Sequence, residues 1–281
     1  MFRVNDFDNN INTFNIEIWF VLFLIINNIS YCFSIFISFS KKENYPSIYS
    51  ILQKLPILLF YFETFLKEGK DILHVTLSSG ISGSINSAMI AKSMLEEKYP
   101  ERKIYIVDSL LASSGYGLLM DKLADLRDAG KTMDEVYTWA EENKLKAHAW
   151  FFSTDLTFFV KGGRVSKTSG FVGGILNICP LLNMDREGKL IPRHKIRTKK
   201  KVIEAMVEQM EQFAQDGFDY NEKCYISHSA CMEDAKAVAE KIESRFPKLK
   251  GKVEINDIGT TIGSHTGPGT VALFFWGEGR E

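Results

Sequence analysis

Three loops in this chain carry residue types suited to holding a small anion. The first is Ser78-Ser79-Gly80-Ile81-Ser82-Gly83-Ser84, between a short apolar run and a helical pattern. A helix amino terminus presents unpaired N–H groups and a partial positive charge, so it cradles carboxylates and phosphates. The hydroxyls of Ser79, Ser82 and Ser84 add donors, and Gly83 permits close backbone approach. The plainer reading is a Ser-capped loop that holds nothing. The second loop, Gly162-Gly163-Arg164, combines an unusual backbone with a guanidinium able to meet an anion through two nitrogens. Its plainer reading is a tight turn with a solvated Arg. The third runs Gly263-Ser264-His265-Thr266-Gly267-Pro268-Gly269, one His among hydroxyls and glycines. A lone His is more often structural, but the glycines around it suggest close approach to something.

Two enzyme motifs fail at the first loop. A phosphate-binding P-loop needs a Lys that this loop lacks. A nucleophile elbow needs GxSxG, and Gly83 comes one residue too early. Serine chemistry with Ser82 and His265, a lipid or phosphoester hydrolase, stays open as an alternative. The other histidines and the four cysteines (Cys32, Cys179, Cys224, Cys231) have no metal-ligand spacing. No metal and no resident cofactor are expected, and scattered free cysteines fit a reducing, cytoplasmic setting.

The elements that must position these loops follow from periodicity. Ile72–Leu77 and Ile104–Val107 are short apolar runs, and Ile85–Lys98 between them has helical spacing. The three make a βαβ unit with a parallel pair. A helix from Ala112 to Ala129 ends at Gly130, and Thr132 with Glu135 opens another that runs to Asn143. From Ala147 the rhythm changes to a strand, the Gly162–Arg164 turn, and a short apolar helix over Phe171–Ile178 that Pro180 ends. Leu181–Met184 and Lys189–Ile196 flank a hairpin turn, Asp185–Gly188. A helix over Thr198–Gln215, a strand at Cys224–Ser227, a helix over Met232–Phe246, and strands at Lys252–Ile258 and Thr270–Trp276 complete the pattern. The expected class is α/β: a three-layer α/β/α domain with a parallel sheet over residues 67–146, and a smaller α+β domain with a mixed sheet over 147–281.

Residues 1–66 are a different kind of sequence. They hold 11 of the 21 phenylalanines, and no glycine precedes Gly69 and no alanine precedes Ala88. Ile18 to Ser40 is a run of 23 residues without a charge, followed by Lys41-Lys42. A membrane-spanning helix over 18–40 would leave 41–281 in the cytoplasm. A start altered by a shifted reading frame, or unusual core strands, would give the same composition.

The whole chain has 34 Lys and Arg against 35 Asp and Glu, and 45% hydrophobic residues. That balance excludes a disordered chain and a strongly basic nucleic-acid binder. One basic cluster stands out, six Lys or Arg among the nine residues Arg193–Lys201. It is either a solvated strand edge and helix start or a patch for an acidic partner.

Taken in order, these motifs resemble the DegV family of fatty-acid-binding proteins. The resemblance rests on LSSGISGS followed by NSA, on Val107-Asp108-Ser109, on the stretch from Lys161 to Lys201, and on IGTTIGSHTGPGTVALFF near the end. It spans about residues 65–275 and implies a two-domain protein that buries one long-chain fatty acid in a tunnel. It further implies the acyl-binding subunit of a bacterial fatty acid kinase, in which a separate ATP-binding subunit phosphorylates the carboxylate. By the same resemblance Ser79, Ser82, Gly83, Ser84, His265 and Arg164 hold the carboxylate. Phe171, Ile175 and Leu176 then line the acyl tunnel, and Arg197, Lys199 and Lys200 dock the kinase. Ser84 stands where the family usually has Thr. The family's opening strand and its Thr-Ser loop have no match in residues 1–66.

Overall fold

The computed structural model describes residues 46–166 and 178–281. The expected membrane span at 18–40 and the tunnel residues Phe171, Ile175 and Leu176 lie outside them. In chain order the elements are α1 (Pro46–Lys67), β1 (Ile72–Thr76), α2 (Ser84–Lys98), β2 (Ile104–Asp108), α3 (Ser113–Asp128), α4 (Met133–Asn143), β3 (Ala147–Ser153) and α5 (Thr157–Lys161). Then come β4 (Ile178–Met184), β5 (Leu190–Arg197), α6 (Lys199–Phe213), β6 (Cys224–Ser229), α7 (Met232–Arg245), β7 (Val253–Asp257), α8 (Thr260–Thr266) and β8 (Thr270–Trp276).

The strands form two sheets. β1 and β2 pair in parallel, Ile72 opposite Ile104 through Thr76 opposite Asp108. The other six run in the order β5-β4-β3-β8-β6-β7, antiparallel except for β6 with β7. Side chains alternate across a strand, and the small sheet shows the consequence. Ile72, Ile104 and Ile106 face Phe62 and Leu66 of α1 and Ala88, Ala91 and Leu95 of α2. Leu73, Val75 and Val107 face the opposite way, into a core shared with Leu118, Leu119 and Leu123 of α3 and Met133, Val136 and Ala140 of α4.

That second core continues into the large sheet. α3 lies on it so closely that a Cβ on Gly115 would stand 2.5 Å from the Phe274 ring. Trp139 of α4 meets Trp276 of β8 edge to face. On the far side of the sheet, Phe213 of α6 stacks on His148 and Trp150 of β3, and α7 packs on β6 and β7. The layers are therefore α1/α2, small sheet, α3/α4, large sheet, α6/α7. Residues 145–147, the expected domain boundary, lead into β3, and one apolar core runs across them.

Most local expectations match. Thr132 and Glu135 form a reciprocal capping box at α4, each side chain accepting from the other's backbone N–H. The Asp185–Gly188 turn is closed by Asp185 Oδ1, which accepts from the Glu187 and Lys189 N–H groups at 2.9 and 2.8 Å. Gly188 there has φ +68°, a value glycine adopts without strain.

Two expectations need correction. Ile178 and Pro180 belong to β4, so Pro180 lies inside a strand and not just past a helix end. The rest of the helix expected over Phe171–Ile178 lies outside the described residues. Pairing of β4 with β3 begins only at Leu181, so Pro180 has a strand neighbour on one side alone, where a missing N–H is tolerated. Continuous apolar residues do not separate strand from helix, so the pattern did not place the start of β4 at Ile178. The glycine-rich stretch around His265 is likewise not a loop. Thr260–Thr266 form α8, and only Gly267–Gly269 turn into β8.

Candidate functional site

The Ser78–Ser84 loop leaves the carboxyl end of β1 and enters α2. Ser78 is fully buried and its Oγ donates to Gly188 O at 2.8 Å, tying the loop to the β4–β5 turn. Gly80 is pressed against the same turn, since a Cβ there would sit 2.5 Å from Gly188 O. Asp108, at the end of β2, accepts from the Ser79 N–H at 3.1 Å and from the Leu110 N–H at 3.1 Å. The Ser79 side chain is exposed. Further on, Ser82 and Ser84 share a hydroxyl–hydroxyl bond of 3.1 Å, and the Ser84 N–H donates to Ser82 Oγ. Gly83 is the N-cap of α2 and offers no side-chain cap; the Ser84 N–H is instead met by Ser82 Oγ and the Asn86 N–H by Gly83 O at 3.2 Å.

The second loop follows α5. Gly162 caps that helix, Gly163 has φ +71°, and Arg164 Nη1 donates back to Gly162 O. His265, on α8, lies against this turn. A Cβ on Gly162 would fall 2.6 Å from His265 Nδ1, so only glycine permits the approach. On the other flank Gly267 is covered by the Phe158 ring of α5, 2.3 Å from where its Cβ would be.

A cavity of about 460 Å³ joins these parts. One wall is Gly80 and Ile81, the second Gly163, Arg164 and Ser166, and the third Lys189 to Pro192 on the β4–β5 hairpin. Ser79 and Ser82 flank the first wall on either side. The volume lies within the range of about 300–1,000 Å³ usual for small-ligand sites. Ile81, Leu190, Ile191 and Pro192 make much of the lining apolar; its two cations are Arg164 and Lys189, the latter paired with Glu187.

The charges are arranged one-sidedly. Burial lowers the pKa of Arg164, which still leaves it a cation at neutral pH. His265 is pushed below its usual value, first by burial and then by the nearby Arg164 charge, so its imidazole is neutral at pH 7. Lys54 of α1 is lowered by the same two causes in the same order. Among the described residues, none of Lys54, Arg164 and His265 has a carboxylate partner. Partly buried cations without a counter-charge favour an anionic ligand, and a carboxylate about 4 Å from the guanidinium gains about 4 kcal/mol at an effective dielectric of 20.

The geometry thus brings Gly80–Ile81 and Arg164 to one cavity. His265 lies against the neighbouring Gly162, and Ser82, Gly83 and Ser84 stand at the adjoining helix start, none of these four lining the cavity itself. Ser82 Oγ bonds to Ser84 rather than to an imidazole, so no serine–histidine relay is formed in this state. The basic cluster lies on β5 and the start of α6, where Arg197, Lys199 and Lys200 are exposed. Lys199 is engaged with Asp234 at 2.7 Å. Sequence reasoning missed Lys54, which sits in the atypical first quarter, and it missed Asp108 and the hairpin wall. Asp108 had a signal, as a carboxylate at the end of a βαβ strand beside the Ser-rich loop. The hairpin wall had none, because 110 residues separate Ser78 from Gly188.

Comparison with known proteins adds to this. Residues 58–278 match the model of the DegV family, described as uncharacterised proteins. A DegV domain-containing protein of Clostridium perfringens is 39% identical over 221 residues, covering 78% of this chain and 74% of the relative. A DegV family protein of Ruminococcus gnavus, solved with vaccenic acid, has a TM-score of 0.69 at 28% identity, covering 77% of this chain and 76% of that one. The Streptococcus pneumoniae Fatty Acid Kinase (Fak) B3 protein, solved with linoleic acid, has a TM-score of 0.69 at 27% identity, over 80% and 76% of the two chains.

Proposed function

The chain belongs to the DegV family, and on that premise we propose that it binds a long-chain fatty acid with the carboxylate at Arg164. The observation that carries this reading is the cavity itself, in which the Arg164 guanidinium, without a carboxylate partner among the described residues, meets a lining that is largely apolar. Arg164 supplies a fixed charge and a planar pair of donors that suits a carboxylate. Neutral His265 donates one further hydrogen bond without adding to the repulsion around Arg164. The Ser82 and Ser84 hydroxyls at the start of α2 complete the donor set, and Lys54 stands as a second cation near Arg164. Relatives solved with vaccenic and linoleic acid support the ligand class.

The finer part of the proposal is that the chain is not itself the catalyst. It holds the acid and presents the carboxylate to a partner kinase, which transfers a phosphoryl group from ATP to one carboxylate oxygen. The Streptococcus pneumoniae relative, a protein of fatty acid kinase, supports this assignment. The exposed cations Arg197, at the end of the strand that continues from the cavity wall, and Lys199 and Lys200, at the start of α6, form the docking surface.

The test is direct. Lipid extracted from the purified full chain and analysed by mass spectrometry should contain fatty acid, and Arg164→Ala should lower retention at least tenfold. A folded, lipid-free protein whose melting temperature no fatty acid shifts would sink the proposal. Phosphate transfer to the bound acid, measured with an ATP-binding kinase subunit, tests the second part. Transfer undiminished by reversing the charges of Arg197 and Lys200 would remove the docking surface.

A further inference from the structure

Arg280, next to the last residue, is only 6% exposed. Burial lowers its pKa to about 10, which leaves it charged at neutral pH. No carboxylate meets its guanidinium at hydrogen-bond distance among the described residues. Instead Nη1 donates to Met184 O at 3.2 Å and to Asp185 O at 2.9 Å, while Nη2 donates to Leu110 O at 3.2 Å. Its Nε has no partner. The tail around it is pinned at the backbone too, from Arg280 N to Leu145 O at 2.9 Å and from Arg186 N to Glu281 O at 3.0 Å.

A buried cation satisfied only by carbonyls is costly, so its position calls for a reason. The two segments it joins supply one. Met184 and Asp185 lead into the turn that carries the Lys189–Pro192 wall. Leu110, held at φ +54°, lies in the loop after β2, where Asp108 holds the amide of Ser79. Arg280 therefore bridges the small-sheet loop after β2 and the start of the large-sheet hairpin turn, the two segments that lead into the facing walls. The contacts of Ser78 and Gly80 with Gly188 lie along the same seam.

We propose that Arg280 is a positioning residue, whose fork sets the spacing between the Gly80–Ile81 wall and the Lys189–Pro192 wall and so tunes the site for its ligand. The proposal rests on reading this cavity as the head-group site. Lysine keeps the charge but has a single nitrogen, which cannot bridge Leu110 O and the Met184–Asp185 carbonyls as the planar fork does.

Arg280→Lys separates positioning from mere stability. Hydrogen exchange on the ligand-free full chain should rise at least tenfold in residues 78–84, 108–112 and 185–192, while β3 and β8 keep their protection. Affinity for palmitate should fall at least tenfold at a temperature where the variant is fully folded. Arg280→Ala should show the same pattern more strongly, and the lysine variant stands alone if alanine does not fold. Exchange along the seam unchanged in Arg280→Lys would overturn the inference, and so would a loss of protection spread evenly over the large sheet. Wild-type affinity in Arg280→Lys would overturn it as well. If the wild-type chain itself ignores palmitate, the ligand reading fails, and the exchange result still decides whether Arg280 holds the seam.

Discussion

The two sheets are held by different means. The large one has six strands, and the β3–β8 pair at its centre runs in register from Ala147 with Trp276 to Ser153 with Thr270. Every residue of β3 and β8 is buried. Among the described residues the small sheet is two parallel strands of five residues each. A pair that short has no independent stability and depends on helices on both faces. α1 and α2 cover one face, and the other borrows the α3/α4 layer from the large sheet. The cavity lies where the two meet. The lesson is that one region supplies rigidity, the other supplies the donor-rich loop, and the seam between them sets the site.

If that division is right, core truncations in the two sheets should behave differently. Phe152, fully buried in β3, should cost about 3–5 kcal/mol on replacement by alanine and lower the single main unfolding transition. Ile104→Ala in β2, about 2–5 kcal/mol, should instead open residues 72–76 and 104–108 to hydrogen exchange while residues 147–153 stay protected. Equal loss of protection in both sheets would erase the distinction.

Acid probes the same comparison with one histidine in each sheet. Burial lowers His74 of β1 to about 4 and His148 of β3 to about 4. Each is depressed below the unfolded value near 6.5, so the unfolded chain takes up the proton first. Stability is then full above pH 6.5 and lost as pH falls towards 4, by about 3 kcal/mol for each histidine. Denaturant titrations between pH 7 and 4 should show this slope, halved in His74→Phe if the two sites act independently.

Smaller effects should come from glycines. Gly80→Ala places a Cβ against the hairpin turn, strains the seam by about 1–3 kcal/mol and weakens fatty-acid binding. Gly117→Ala, on α3 with nothing within 4 Å of the added carbon, should stabilise by about 0.5–1 kcal/mol and leave binding unchanged. Thermal unfolding together with ligand affinity separates the two. A Gly80→Ala protein with normal affinity would argue against the seam as the determinant of the site.

Much of this was legible beforehand, and for a common reason. The βαβ unit, the capping box and the Asp185–Gly188 turn depend on residues within a few positions of one another, whose spacing is written in the chain. Apolar stretches were harder where they lacked an alternating period. Leu181–Met184 was read correctly as a hairpin strand, but the start of β4 was placed too late, because burial on both faces leaves no period-two signal to mark Ile178–Pro180 as strand. α8 was missed because glycine and hydroxyl residues spoke for a loop, while packing against α5 held them as a helix.

By itself, then, the sequence determined the elements, the turn chemistry and which loops were rich in donors. Those properties follow from local backbone preference and side-chain period. Only the tertiary structure decided which loops share a wall. That depends on strand order and on which helix layer separates the sheets, and contacts between residues about a hundred positions apart leave no local trace. Ser78 against Gly188, Gly162 against His265, and Arg280 bridging Leu110 to Met184 and Asp185 are all of this kind.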